Sequence, residues 1–233
     1  MNKLNEPVHK TVIVQNFYSK FSSMKYVLIP ALLFCLTVHG QDTAKIKELY
    51  KQAMEYERNG DLNNAIKTQI NLFNLDTHNY VSANVIAGLY GKAGKFVDEI
   101  VWAGISLKIE PGFSMAYINL GNAYAGLQDF ANAEINYREA LRTDSLSPYA
   151  YYSLGLIEEN KNDLKAAISY YTKSVTVDST FENGFYNLAA AYANLKDFNA
   201  ANKYILKLLA LNPHDKDAQE MHAHIKERLL KKK

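Results

Sequence analysis

The chain has 233 residues, of which 48% are hydrophobic and 21% charged, enough to bury a sizeable core in one or two domains. Its net charge of +2 is too weak for the field of a nucleic-acid binder, and its single cysteine excludes a disulfide framework within the chain. Seventeen Tyr against one Trp and five Pro is an uneven balance, and the scarcity of Pro permits long helices.

The first predicted element is an apolar run, YVLIPALLFCLTV, at residues 26–38. It follows Met24-Lys25 and ends in VHGQD. Thirteen residues are too few to span a bilayer, which takes about 20. A basic start, an apolar middle and a small-residue exit at Val38 and Gly40 describe a secretory signal cut after Gly40, in a leader covering 1–40. The alternatives are a buried N-terminal helix or an uncleaved anchor. The stretch before Met24 is long for a leader, which makes Met24 a candidate start. Phe34 precedes Cys35 where a lipoprotein signal would resemble others in having a small residue. The leader carries four of the 26 basic and one of the 24 acidic residues, so the remaining chain is near neutral, about −1, and has no thiol. That predicts an exported protein, periplasmic or extracellular, with no stable membrane span in the mature chain.

After a short lead-in at 41–45, self-similarity dominates. Five copies of a 34-residue unit follow without insertion: 46–79, 80–113, 114–147, 148–181 and 182–215. One position reads Ala53, Ala87, Gly121, Gly155, Ala189; another reads Tyr56, Tyr90, Tyr124, Glu158, Tyr192. A third reads Ala65, Glu99, Ala133, Ala167, Ala201, and a fourth Gln69, Ala103, Tyr137, Tyr171, Ile205. Each unit holds two apolar stretches with helical spacing, such as Tyr117, Leu120, Tyr124 and then Ala133, Tyr137, Ala140. A polar turn separates them, with Asp61, Asp129, Asp163 and Asp197 placed to cap the second helix, and Lys95 in the remaining copy. The small residues belong where the paired helices cross, and the repeating Tyr117, Tyr151 and Phe185 belong in the core. Residues 216–233 read as a final capping helix with Ala218, Met221, Ile225 and Leu229 on one side and a basic tail.

This pattern resembles the tetratricopeptide repeat family over residues 46–215. The third copy is the nearest match, with Tyr117, Leu120, Gly121, Tyr124, Ala133, Tyr137 and Ala140 where that family places an aromatic, Leu, Gly, Tyr, Ala, aromatic and Ala. The resemblance implies an all-α fold, a right-handed α-α superhelix or solenoid of stacked helix pairs, with a concave side lined by the first helix of each pair.

Chemistry-bearing motifs are sparse. Gly88, Gly91 and Gly94 fall inside a predicted helical repeat with no preceding strand, so they make no phosphate loop. His222 and His224 lie two apart on a helix and point about 200° apart, too divergent for one ion. Glu158-Glu159 and Asp98-Glu99 are adjacent and do not converge. The expectation is therefore no enzyme, no metal and no cofactor.

Carried over from the family, the groove positions on the first helices form the candidate binding site. They include Tyr50, Met54, Asn84, Gly88, Ile118, Asn122, Tyr149, Tyr152, Leu156, Tyr186 and Asn194. Some members hold peptide carboxylates with Lys and Arg at positions occupied here by Tyr50, Asn84, Ile118, Tyr152 and Tyr186, so that clamp is absent. What remains is a neutral groove, small in the middle at Gly88, Gly91, Ala125 and Gly126 and aromatic on its flanks. It would suit a peptide or helix of a protein partner, not a nucleic acid. The alternative function is a permanent accessory subunit of a cell-envelope complex, docking by its convex face or an edge. A small-ligand binder or an enzyme is the weaker reading.

Overall fold

A computed structural model describes residues 40–231. The leader reading rests on residues outside this range, as do Met24, Cys35 and the end of the basic tail. The described residues form eleven α-helices: α1 Gly40–Arg58, α2 Leu62–Leu75, α3 Tyr80–Lys92, α4 Phe96–Ile109, α5 Ser114–Gly126, α6 Phe130–Thr143, α7 Pro148–Asn160, α8 Leu164–Val177, α9 Glu182–Asn194, α10 Phe198–Leu211 and α11 Lys216–Lys231. The residues expected as a lead-in, 41–45, are part of α1. No Gly or Pro interrupts QDTAKIKELY, so nothing stops the helix from extending back to Gly40. None of these helices is long and apolar enough to cross a membrane.

The turns within the hairpins follow one plan. Asp61, Asp163 and Asp197 are N-caps of α2, α8 and α10, accepting from the backbone N–H three residues on at 3.0–3.2 Å. Asp129 does the same before α6 at 3.1 Å. Hydrogen bonds from Asn132 hold the Asp129 carboxyl below its ordinary pKa. Lys95 caps nothing with its side chain. The residue just before the cap position is left-handed in every hairpin: Gly60, Gly94, Gln128, Asn162 and Lys196 all have φ between 62° and 77°. Glycine takes this conformation freely, whereas Gln and Lys take it under strain.

The chain forms two compact units, one ending at Thr143 and the other beginning at Asp144. In the first, α1–α2, α3–α4 and α5–α6 form three hairpins. Phe73, Ala83 and Ile86 make one buried cluster, closed by the Trp102 ring set edge-on to Phe73 at 5.2 Å. Ala65, Ile66 and Leu89 make another. Gly121 lies against Tyr137: a Cβ on that glycine would stand 2.4 Å from Tyr137 Cε1. The ring is pinned by its hydroxyl, which donates to Asn122 Oδ1 at 2.9 Å.

In the second unit, α7–α8 and α9–α10 form two hairpins and α11 covers α10. Gly155 repeats the glycine contact, since its Cβ would meet Tyr171 Cε1 at 2.4 Å. Ala218 and Ile225 of α11 join Phe185, Ala189, Ala201, Ile205 and Leu208 in one buried cluster, with Met221 and Leu229 against its rim. Asp215 caps α11 by accepting from Ala218 N–H at 3.0 Å. Phe185 is buried as expected, but Tyr117 and Tyr151 are only half-buried. Lys173 Nζ lies 5.6 Å from the Tyr151 ring centre.

Candidate functional site

The small residues that recur every 34 positions are interior, and so are the rings packed on them. Ala65, Ala87, Ala133, Ala167, Ala189 and Ala201 are fully buried, as are Tyr137 and Tyr171. These positions are closed to a partner, whereas the rings that recur at Tyr56, Tyr90, Tyr124 and Tyr192 are half-buried.

The eleven candidate residues divide sharply on this test. Asn84, Ile118, Asn122, Tyr152 and Leu156 are buried, which corrects their expected place on an open surface. The polar ones among them are used internally. Asn119 Nδ2 donates to the Asn84 carbonyl at 3.1 Å and to Asn84 Oδ1 at 2.8 Å, tying α5 to α3. Asn122 receives the Tyr137 hydroxyl. Tyr152 is set edge-on to Phe181 at 5.4 Å and tilted against Tyr171 at 5.8 Å, and its hydroxyl accepts from Asn187 Nδ2 at 3.4 Å. Burial, and secondarily the Glu159 charge, pushes the Tyr152 phenol well above its ordinary pKa.

The other six remain reachable. In the first unit these are Met54, at 41% exposure, with Tyr50 and Gly88 half-buried. In the second unit Asn194 is exposed, and Tyr149 and Tyr186 are half-buried. Tyr149 packs its ring edge-on to Phe181 at 5.2 Å. Tyr186 has a raised pKa, first from burial and then from the nearby charges of Asp217, Asp215 and Glu220.

The expected gap of small residues is filled from within. A Cβ on Gly91 would lie 2.6 Å from the buried carboxyl of Glu99, and one on Gly126 would lie 2.6 Å from the Phe96 ring. Ala125 is itself buried. Gly91 and Gly126 are small because larger side chains of the same unit occupy the adjoining space. Sequence spacing could have suggested this, because Glu99 stands where the other copies have Ala. Among the described residues, no group of three His, Cys, Asp or Glu side chains converges as a metal site. His224 instead accepts from Arg228 Nε at 3.4 Å.

Residues 118–179 and 183–215 match two family profiles, both described as tetratricopeptide repeat. These segments are tetratricopeptide repeats. Over 70 residues, 30% of this chain, the sequence is 37% identical to heat shock protein STI1 of Saccharomyces cerevisiae, a match covering 12% of that protein. Among solved structures, PilW, described as a widely conserved type IV pilus biogenesis factor, is similar with a TM-score of 0.66 and 20% identity. The match covers 79% of this chain and 86% of PilW. TTC0263, a thermophilic tetratricopeptide-repeat protein of Thermus thermophilus, gives a TM-score of 0.66 at 14% identity, covering 79% of this chain and 99% of the other. At these identities the likeness establishes the fold, a solenoid of tetratricopeptide repeats. Proteins built on such repeats generally work by binding other proteins and are generally not catalysts.

Proposed function

We propose that this is an exported tetratricopeptide-repeat scaffold that captures a peptide or helix of a partner protein on its first-helix faces. The observation carrying this reading is that the repeated small residues and the rings of Tyr137 and Tyr171 are inside, whereas the variable first-helix residues Tyr50, Met54, Gly88, Tyr149, Tyr186 and Asn194 are half-buried or exposed. Half-buried tyrosines combine apolar area with a hydroxyl and lose little rotamer freedom on binding, which suits them to recognising a peptide. The apolar run at 26–38 supports export, and N-terminal sequencing of the native protein tests it. A first residue at Gln41 is the expected result, and a chain beginning at Met1 or Met24 contradicts it.

A second reading, permanent docking in a cell-envelope complex by the second-helix face, is favoured by Val97, Val101 and Ile135. They are 66%, 54% and 58% exposed on α4 and α6. A photo-crosslinking residue placed at Met54 or Asn194, and in parallel at Val101 or Ile135, separates the two. Adducts to one partner from Met54 and Asn194 are expected. Adducts confined to Val101 and Ile135 favour the subunit reading.

A further inference from the structure

The hairpin turn before α4 breaks the rule that the other turns obey. Where Asp61, Asp129, Asp163 and Asp197 accept a backbone N–H, Lys95 offers no side-chain cap and places a cation at the positive end of a helix dipole. Both changes work against the helix, and Asp98 and Glu99 in its first turn offset them in part. The side chain is instead turned to a cleft of about 300 Å³ in the first unit. There Lys95 Nζ lies 3.4 Å from Asn63 Oδ1 and 5.9 Å from the Tyr90 ring centre.

The cleft has two kinds of wall. Ile66, Ile70 and Tyr90 provide an apolar floor, continuous with the buried cluster of Ala65 and Leu89. Asn63, Lys67 and Asn71, on successive turns of α2, provide a polar edge that Lys95 completes. Neither lysine forms an ion pair among the described residues. Two cations and two amides above an apolar floor complement an anionic group on an apolar stem. The volume is at the low end of the ~300–1,000 Å³ typical of ligand pockets, which fits a ligand of about one amino acid.

We propose that this cleft binds a carboxylate carried on a short apolar stem, with the carboxylate between Lys67 and Lys95 and the stem on Ile66, Ile70 and Tyr90. The site is separate from the first-helix residues proposed to capture a partner. It differs from them in needing negative charge in its ligand.

The test is a titration of the full ¹⁵N-labelled chain with N-acetyl-leucine, N-acetyl-leucinamide and inorganic phosphate, followed through the amides of Lys67, Tyr90 and Lys95. The account predicts saturable shifts with N-acetyl-leucine, weakened by high salt, and none with the amide. Lys67→Gln should weaken binding about fivefold at unchanged Tm. Lys95→Asp should abolish saturable binding while raising Tm, because it removes a cation and restores the cap its four counterparts have. Equal binding of the amide, retained binding in Lys95→Asp, phosphate shifting these amides as strongly as N-acetyl-leucine, or no saturable shift at all would each overturn the proposal.

Discussion

Gly121 and Gly155 are glycine because of residues one helix further along the chain. Their partners are Tyr137 and Tyr171, whose rings occupy the space a Cβ would need. The copies with Ala at this position have Gln69, Ala103 and Ile205 instead, none of them a ring. The small residue and the ring are thus exchanged together. Gly121→Ala gains up to ~1 kcal/mol of helix propensity but forces a Cβ within 3 Å of a ring that its Asn122 hydrogen bond holds in place. Overpacking should win, with a net loss of about 1–2 kcal/mol in denaturant unfolding. Tyr137→Leu in the same chain should recover part of it, and additivity of the two changes would contradict the pairing. A second expectation concerns pH. Burial raises the Tyr152 and Tyr171 phenols, and Tyr171 donates to Glu159 Oε2 at 2.7 Å. The folded state then holds phenol protons that the unfolded chain gives up above about pH 10. Stability from these groups is present in full below that pH and falls as pH rises above it. Thermal unfolding followed from about pH 8 to 11 should show this decline, with a shallower slope in Tyr171→Phe.

At the scale of elements, the turns are the most regular feature. An Asp cap closes α2, α6, α8 and α10, and Asp163→Ala should lower stability by about 1 kcal/mol. The left-handed residue of each turn is glycine only at Gly60 and Gly94. Gln128→Gly should therefore stabilise the chain, by about 1 kcal/mol, as read from urea midpoints. This is also where the sequence was most legible. Turns and helix crossings depend on neighbours within one hairpin, at a fixed offset, so the 34-residue period displays them directly. The accessible surface was less legible. The buried state of Asn84 and Tyr152 depends on Asn119 and Asn187, each 35 residues further along in the next hairpin. The filled space at Gly91 depends on one Glu in place of Ala. A groove position identified by its register alone carries no information about such partners, whether in the next hairpin, as for Asn84 and Tyr152, or in the same one, as for Asn122 with Tyr137, and five of the eleven candidates are buried.

For the whole molecule, the two units share one construction. The repeated small residues and the rings of Tyr137 and Tyr171 form the interior, and some of the residues that differ among the copies reach the surface. The helices α6 and α11 illustrate both outcomes, since α6 leaves Ile135 exposed whereas α11 closes the apolar face of α10. The central claim is that binding is carried by variable first-helix residues and not by the repeated framework. It is tested most directly by purifying the native protein with its crosslinked partner before and after the double change Tyr149→Ala with Tyr186→Ala, monitoring Tm in parallel. Both side chains lie in the second unit and are half-buried, so the fold should survive with a modest loss of Tm. The account predicts that partner yield falls at least about tenfold, as expected when two aromatic anchors worth about 1 kcal/mol or more each are removed. Undiminished capture by the folded double variant would contradict it.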